Sequence, residues 1–260
     1  MALLNATYVN MTEPYVTTVN QNGSVYLGSV GPGETFYVTI SAQTTNNTGG
    51  VFPIGWDELS ASALPAGWIA QNSPLYTPSP SVKIAVSPQA QNGTYKFNIT
   101  AINLGNYSKL GSLKFTAYVN VTPDVFKLGV TPTAITVGPG NPADIYVTIN
   151  NTGVSDSPFN ITVYGLPAWN KSITVIALHH TEGRFVYPVY ENEPGQYRIR
   201  LYVSSIASSL VYKQSNITLT TKASIASDYD AIGRGVLAFP ITYAPVYAVM
   251  YIISLLSRHA

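Results

Sequence analysis

One pattern occurs twice in this chain and limits what the chain can fold into. The first copy runs from Gly31 to Gly49 and joins a Gly-Pro-Gly turn, an alternating segment and an Asn-Asn-Thr-Gly turn. The second copy runs from Gly138 to Gly153 and has the same three parts. Period-two alternation between turn signals is typical of half-buried β-strands. A turn, a strand and a turn that recur in this way predict two similar β domains.

Further blocks recur in the same order and favour a duplication of the whole unit. Each is a loop or strand of the first half that has a counterpart in the second half. The pairs are 64–68 with 166–169, 93–99 with 195–201, and 114–122 with 215–221.

Each unit shows about seven short strands separated by Gly- and Pro-rich turns, which predicts an all-β chain of two tandem Ig-like β-sandwiches. A jelly roll or another two-sheet sandwich stays open, because alternation does not specify strand order. Thr122-Pro123-Asp124 is the predicted boundary. The predicted domains are 1–122 and 123–222, with a linker at 223–234.

The composition points to a polar surface that carries few ions. Charged residues make up 10% of the chain, against about 25% in ordinary domains. Since few paired carboxylates can be protonated away, the fold is expected to tolerate wide pH changes, as in an exposed and acidic outside environment. A net charge of +1 without a basic cluster argues against a nucleic-acid partner. The absence of cysteine excludes disulfides and thiolate metal sites.

The tail contains an uncharged apolar stretch at 235–257, long enough to span a bilayer as a helix. Arg234 and Arg258 bracket it, and Pro240 and Pro245 would kink its first half, which membrane helices tolerate. The stretch therefore predicts a C-terminal anchor in membrane lipid. The alternative is a hydrophobic segment that packs on other subunits, including a strand donated to a neighbouring sheet.

Sequons of the form Asn-x-Ser/Thr are more frequent than the roughly four that chance would give. They predict N-linked glycans and an exposed N-terminal side. Within strands, the Asn and Thr of a sequon are expected to face solvent while the branched residue between them faces the core. The sequons are Asn5, Asn10, Asn22, Asn46, Asn92, Asn98, Asn106, Asn120, Asn150, Asn160, Asn170 and Asn216.

Candidate chemistry is sparse, and no catalytic, metal or cofactor residue is predicted. His179-His180 with Glu182 is nearest to a metal pattern, but adjacent histidines on a strand point to opposite faces. Asp57-Glu58 is interpreted as loop surface, although a carboxylate pair beside Trp56 would suit glycoside hydrolysis.

Two further sets of residues have a functional and a structural interpretation. Asp228 and Asp230 offer too few oxygens for calcium and are interpreted as a solvated linker. Trp68 and Trp169 recur in register, which favours anchoring roles over sugar stacking. Nucleophile-elbow, phosphate-loop and dinucleotide motifs are absent from the sequence, which predicts a protein that is not an enzyme.

The repeated blocks resemble a known family. Gly-Pro-Gly, an alternating strand, Asn-Thr-Gly, Leu-Pro-x-x-Trp and Pro-Gly-x-Tyr-x-Ile-x-Leu are similar to the Ig-like repeats of archaeal and bacterial surface proteins, of the CARDB or carbohydrate-module-associated type. The resemblance extends over residues 14–222. It implies that the blocks are successive strands of a sandwich, and that the repeats act as spacers or adhesive modules.

These observations leave three functional hypotheses. The first is a structural surface glycoprotein, anchored by its C-terminus with its body outside, in contact with other copies or other coat subunits. It resembles the membrane-anchoring subunits of archaeal surface layers. The second is a capsid, turret or spike protein of an archaeal virus with an internal membrane, since residues 1–12 do not form a signal peptide. The third is an adhesin or carbohydrate-binding module.

Overall fold

The computed structural model consists of β-strands and the turns between them in the part of the chain that it describes. The described residues are 8–45, 51–52, 55–105, 111–167, 169 and 171–223. Alternating segments form these strands because every second side chain can then enter a core while the backbone pairs with neighbours.

The first half forms two facing sheets and a short hairpin. One sheet has the order β2-β1-β4-β9-β8, the other the order β3-β11-β10-β7, and β5 pairs with β6. These strands are β1 (Tyr8–Glu13), β2 (Thr17–Asn20), β3 (Ser24–Val30), β4 (Thr35–Ile40), β5 (Thr44–Thr45), β6 (Val51–Phe52), β7 (Glu58–Ser62), β8 (Ile69–Gln71), β9 (Ser81–Ala85), β10 (Gly93–Ile102) and β11 (Ser112–Val121).

The second half also forms two sheets, but its β16 pairs with β15, whereas β8 of the first half pairs with β9. One sheet has the order β12-β14-β17 and the other the order β13-β19-β18-β15-β16. These strands are β12 (Phe126–Thr131), β13 (Ala134–Val137), β14 (Ala143–Asn151), β15 (Ser157–Tyr164), β16 (Ser172–Ala177), β17 (Glu182–Val189), β18 (Gly195–Ser205) and β19 (Tyr212–Thr221). The predicted boundary at Thr122-Pro123-Asp124 falls between β11 and β12.

The strand order is Ig-like in both halves. In the second half, the first, second and fifth main strands form one sheet, and the third, fourth, sixth and seventh form the other together with β13. This division of the first, second and fifth strands from the third, sixth and seventh is that of Ig sandwiches. In both halves an early strand also runs parallel to the last one, as β3 does to β11 and β13 to β19. The Ig-like expectation is thereby confirmed over the jelly roll.

Each sandwich has its own hydrophobic core. Phe36, Val38 and Ile40 of β4 are fully buried in the first core, as their alternation predicts. In the second core, Ile145 and Ile149 of β14 occupy the matching inward positions. The sequence pattern therefore assigns the faces of the repeated strands correctly.

The repeated turn also has the same geometry in both copies. Glu34 N–H donates to Gly31 O at 3.1 Å, and Asn141 N–H donates to Gly138 O at 3.1 Å. The third residue of each turn has a positive φ, 81° at Gly33 and 74° at Gly140. Proline followed by such a glycine defines a type II turn, so glycine is required at this position.

The predicted anchor at 235–257 lies outside the described residues, as do Asp228, Asp230 and nearly all of the predicted linker. Within the ranges that the structure describes, no helix has the length and hydropathy needed to cross a bilayer. The anchor therefore stays a prediction from the sequence.

Candidate functional site

The most elaborate polar arrangement in the described chain lies where the two sandwiches meet. We call it the joint, and define it as Gly28–Thr35 of the first sandwich together with Gly153–Ser157, Ser205 and Val211 of the second. The type II turn at its centre ends β3 and carries Glu34 to the end of the first sandwich.

The second sandwich contributes a loop that Asn151 holds in place. The Asn151 side chain is 1% exposed. Its amide nitrogen donates to Ser155 O at 2.8 Å and to Ala177 O at 2.9 Å, and its Oδ1 accepts from Gly153 N–H at 3.0 Å. Because these bonds fix the loop, Val154 and Ser155 are aimed at the first sandwich.

Glu34 is the central residue of the joint. The residue is 1% exposed, and its carboxylate accepts hydrogen bonds from Gly31 N–H at 2.9 Å and from the Ser157 and Ser205 hydroxyls at 3.2 Å each. Burial raises the pKa of the Glu34 carboxyl, and the three hydrogen bonds oppose this rise without offsetting it. The carboxyl thus couples the two sandwiches through their serines and is sensitive to its own protonation.

Backbone and apolar contacts surround this carboxyl. Val154 N–H donates to Ser29 O at 2.8 Å, and the Ser155 hydroxyl donates to Thr35 O at 2.5 Å. The Val154 side chain enters the core of the first sandwich. Gly28 lies directly under it, and a Cβ at Gly28 would fall 2.6 Å from Val154 Cγ1. Val154 of the second sandwich therefore fills the space that the absence of a side chain at Gly28 leaves in the first.

The joint is suited to holding an orientation. Its hydrogen bonds fix the relative orientation of the two sandwiches. The apolar contacts around them exclude water, which strengthens these hydrogen bonds. These contacts therefore hold the two sandwiches in one relative orientation, which a flexible linker alone would not do.

We expect Gly31→Ala to loosen the joint and to lower stability by about 1–3 kcal/mol, the usual effect of overpacking. The new Cβ would lie 2.6 Å from Val211 Cγ2 and 2.8 Å from Glu34 Cδ. Amide exchange in the 153–158 loop is expected to rise. Gly129→Ala is the matched control, because its Cβ would meet Thr148 no closer than 3.4 Å. Unchanged exchange in Gly31→Ala would contradict this view of the joint.

The predicted glycan sites fall into three groups. Asn22, Asn92 and Asn216 are exposed. Asn10, Asn98, Asn120, Asn150 and Asn160 are partly exposed on strands, and the residues between Asn and Thr at 99, 121, 161 and 217 are buried as expected. Asn5, Asn46, Asn106 and Asn170 lie outside the described residues.

The structure assigns the candidate acid and histidine residues to local structural roles. The expectation that His179 and His180 lie on a strand is wrong, because they form a turn between β16 and β17 in which His180 has a φ of 55°. His179 pairs with Asp156 at 2.6 Å. Asp57 accepts from Leu104 N–H at 2.6 Å, and Glu58 accepts from Asn72 at 3.2 Å. Among the described residues, His, Asp and Glu form no group that could hold a metal.

The tryptophans do not offer a sugar-stacking surface. Trp56 is 2% exposed and Trp68 is 6% exposed, and both belong to the first core. Trp169 packs against the second core and donates from Nε1 to the Tyr187 hydroxyl at 3.2 Å. The anchoring role expected for Trp68 and Trp169 is therefore confirmed.

Sequence reasoning missed Glu34 and its partners. The signal that could have found them is a difference between the two copies of the repeat, because the residue after the Gly-Pro-Gly turn is Glu34 in one copy and Asn141 in the other. A carboxylate at a matched turn position in a chain so poor in charge points to a local role.

No protein-family model and no curated protein sequence matches this chain. Solved structures give the chain several neighbours. A chimeric titin Z1Z2 functionalized with an exogenous peptide from decorin is 14% identical, with a TM-score of 0.38, over 86% of this chain and 100% of that one. A titin Ig tandem is 9% identical, with a TM-score of 0.27, over 84% and 98% of the two chains. The Yersinia pseudotuberculosis adhesin InvE is 13% identical, with a TM-score of 0.28, over 74% of this chain and 56% of that one. At these scores the Ig-like fold rests on the strand order described above.

Proposed function

We propose that this chain is a non-enzymatic structural surface glycoprotein, anchored in a membrane by residues 235–257, and part of an outer lattice or coat of the surface-layer stalk type. The observation that carries the proposal is the joint. A spacer must transmit position from its anchor to its far end, and the buried Glu34 contacts with Ser157 and Ser205 hold two domains in a defined relation.

The surface chemistry supports the same role. Tyr37 and Tyr146 are about half exposed at matched positions of β4 and β14. Neutral side chains of this kind make contacts that change little with pH or salt. A coat in a variable outside environment benefits from such contacts.

Imaging of native material by negative stain tests this proposal. An ordered lattice or stalks on a membrane surface would support it. Closed particles would favour the virion alternative, and isolated monomers in solution would count against both assemblies.

Removing residues 235–260 is expected to convert a membrane-bound protein into a soluble one with its fold intact. The physical reason is that an uncharged stretch of about 20 residues is enough to span a bilayer. Detergent partitioning and circular dichroism would measure the two effects. Loss of the fold in the shortened chain would contradict the anchor and favour a tail that packs on other subunits.

Mass spectrometry of native protein tests glycosylation. Asn22 and Asn92 are expected to carry glycans first, because both are exposed and lie outside the strands. If these two sites are bare in native material, the glycoprotein part of the proposal fails while the anchored lattice could still be observed by imaging.

A further inference from the structure

One outward sheet face of the second sandwich combines aromatic rings with cations. We call it the Arg–Tyr face and define it by Arg198, Arg200 and Tyr202 of β18, Tyr164 of β15 and Tyr212 of β19. Tyr164 lies opposite Arg200 on one side of β18. The ring of Tyr202 stacks on that of Tyr212 at 5.2 Å and meets the edge of Tyr164 at 6.4 Å. Three neighbouring strands thus carry a continuous row of rings, of which Tyr164 and Tyr212 are 56% and 50% exposed.

The charged side chains on the strands of this sheet are all cationic. Its five strands contain Arg198, Arg200 and Lys213 but no Asp or Glu. Lys213 pairs with Asp124 at 2.6 Å. Both arginines are exposed, and within the described chain neither has a carboxylate partner. In a chain with so few ions, two adjacent uncompensated arginines leave the face complementary to an anion.

The form of the face limits what can bind there. β18 is a central strand whose backbone pairs with β15 and β19 on its two sides, so a peptide cannot add to it as a further strand. A ligand must therefore be bound by the side chains on the outer surface of this sheet. A shallow depression of 460 Å³ beside the rings is lined by both arginines, Asn216 and Thr218, which supply amide and hydroxyl groups. Guanidinium groups bind carboxylates in a bidentate manner, and flat tyrosine rings offer apolar faces with a polar edge.

We propose that the Arg–Tyr face binds an acidic polysaccharide carried by another molecule, with sugar carboxylates on Arg198 and Arg200 and sugar rings on Tyr202 and its neighbours. Such a polymer presents apolar sugar-ring faces, hydroxyl groups and regularly spaced carboxylates, which match the tyrosine rings, the polar side chains and the arginines of this face. A folded acidic protein would need an apolar anchor pocket, and the depression is lined mainly by polar side chains.

The first sandwich has a smaller version of the same feature. Lys96 occupies the position that matches Arg198 after the Gly-x-Tyr block, and it lines a depression of 230 Å³ together with Asn98, Thr116 and Tyr118. With one cation and one tyrosine, this second depression is expected to bind the same polymer more weakly.

The test uses the full chain, produced without N-glycosylation because Asn216 lies in the depression. Immobilised polygalacturonate is the probe, and neutral dextran and poly-glutamate are the comparison probes. Wild-type protein is expected to bind polygalacturonate in a salt-sensitive manner and not to bind dextran. The double variant R198Q/R200Q is expected to bind at least about tenfold more weakly, since two bidentate contacts are lost.

Two further variants keep the result interpretable. Arg184→Gln is the matched control, because Arg184 is exposed on the other sheet and pairs with Glu182 at 2.9 Å; its binding should equal that of wild type. Tyr202→Ser is expected to weaken polygalacturonate binding severalfold while leaving poly-glutamate binding unchanged. The proposal is overturned if wild type does not bind polygalacturonate, if R198Q/R200Q binds as wild type does, or if Tyr202→Ser has no effect and poly-glutamate binds equally well.

Discussion

Replacing Phe159 with Ala is expected to destabilise the second sandwich by about 3–5 kcal/mol while the first sandwich stays folded. Phe159 is fully buried at the inward face of β15, and its ring centroid lies 4.7 Å from that of Phe126. Its removal leaves a cavity beside Phe126 and removes an aromatic contact. Since each sandwich has its own hydrophobic core, the loss of stability should not extend beyond the joint into the first sandwich.

Hydrogen exchange read by mass spectrometry in increasing urea would measure this effect strand by strand. Exchange in β15, β18 and β19 should rise at lower urea than in wild type, and exchange in β4 and β10 should change only near the joint. Phe36→Ala is the reciprocal variant, because Phe36 is fully buried in the first core. If either variant unfolds both sandwiches together, the two domains are one cooperative unit.

The sandwiches could be predicted because their signals are local. In β4 and β14, apolar side chains at every second position specify which face is buried, and the burial of Val38 and Val147 agrees with this. The type II turn could be predicted for the same reason, since proline followed by glycine already favours its dihedral angles. Such signals lie within a few residues of one another.

The joint could not be predicted because its partners are far apart in the chain. Glu34 lies 123 residues from Ser157 and 171 residues from Ser205. A serine hydroxyl that accepts or donates one hydrogen bond leaves no local pattern, and the chain is rich in serine and threonine. Only the folded loop held by Asn151 brings these groups together.

The Arg–Tyr face was partly accessible to sequence reasoning. Alternation in β18 predicts that Arg198, Arg200 and Tyr202 share the outward face. Their combination with Tyr164 and Tyr212 depends on the register of three strands, and a one-residue shift would move every side chain to the other face. Among the Phe, Tyr and Trp residues that the structure describes, the exposed ones are tyrosines, so the tryptophans do not mark this face.

Raising the pH from about 4 to about 8 is expected to weaken the joint. Burial holds the pKa of Glu34 above its ordinary value of 4.5. A group with a raised folded-state pKa contributes stability that is fully present below its unfolded pKa and is lost as pH rises through the folded pKa. No charged side chain of the described chain contributes to this shift, so ionised Glu34 would be a buried anion held only by Gly31, Ser157 and Ser205.

Glu34→Gln isolates this effect. The amide has nearly the same shape, still accepts from Gly31 N–H and cannot ionise, so the variant should match wild type near pH 4 and exceed its stability near pH 8 by roughly 1–3 kcal/mol, the desolvation penalty of a buried polar group. Urea unfolding of both proteins across this range would measure the difference. Subtracting the two curves removes the contribution of other carboxyls, including Asp156, whose pKa is lowered because hydrogen bonds and charge from His179 outweigh the opposing effect of burial. A constant difference between the curves would show that Glu34 does not titrate in the joint. A difference of the predicted sign would mean that the two sandwiches are held most firmly in acid, in agreement with the acidic outside environment that the low content of charged residues suggests.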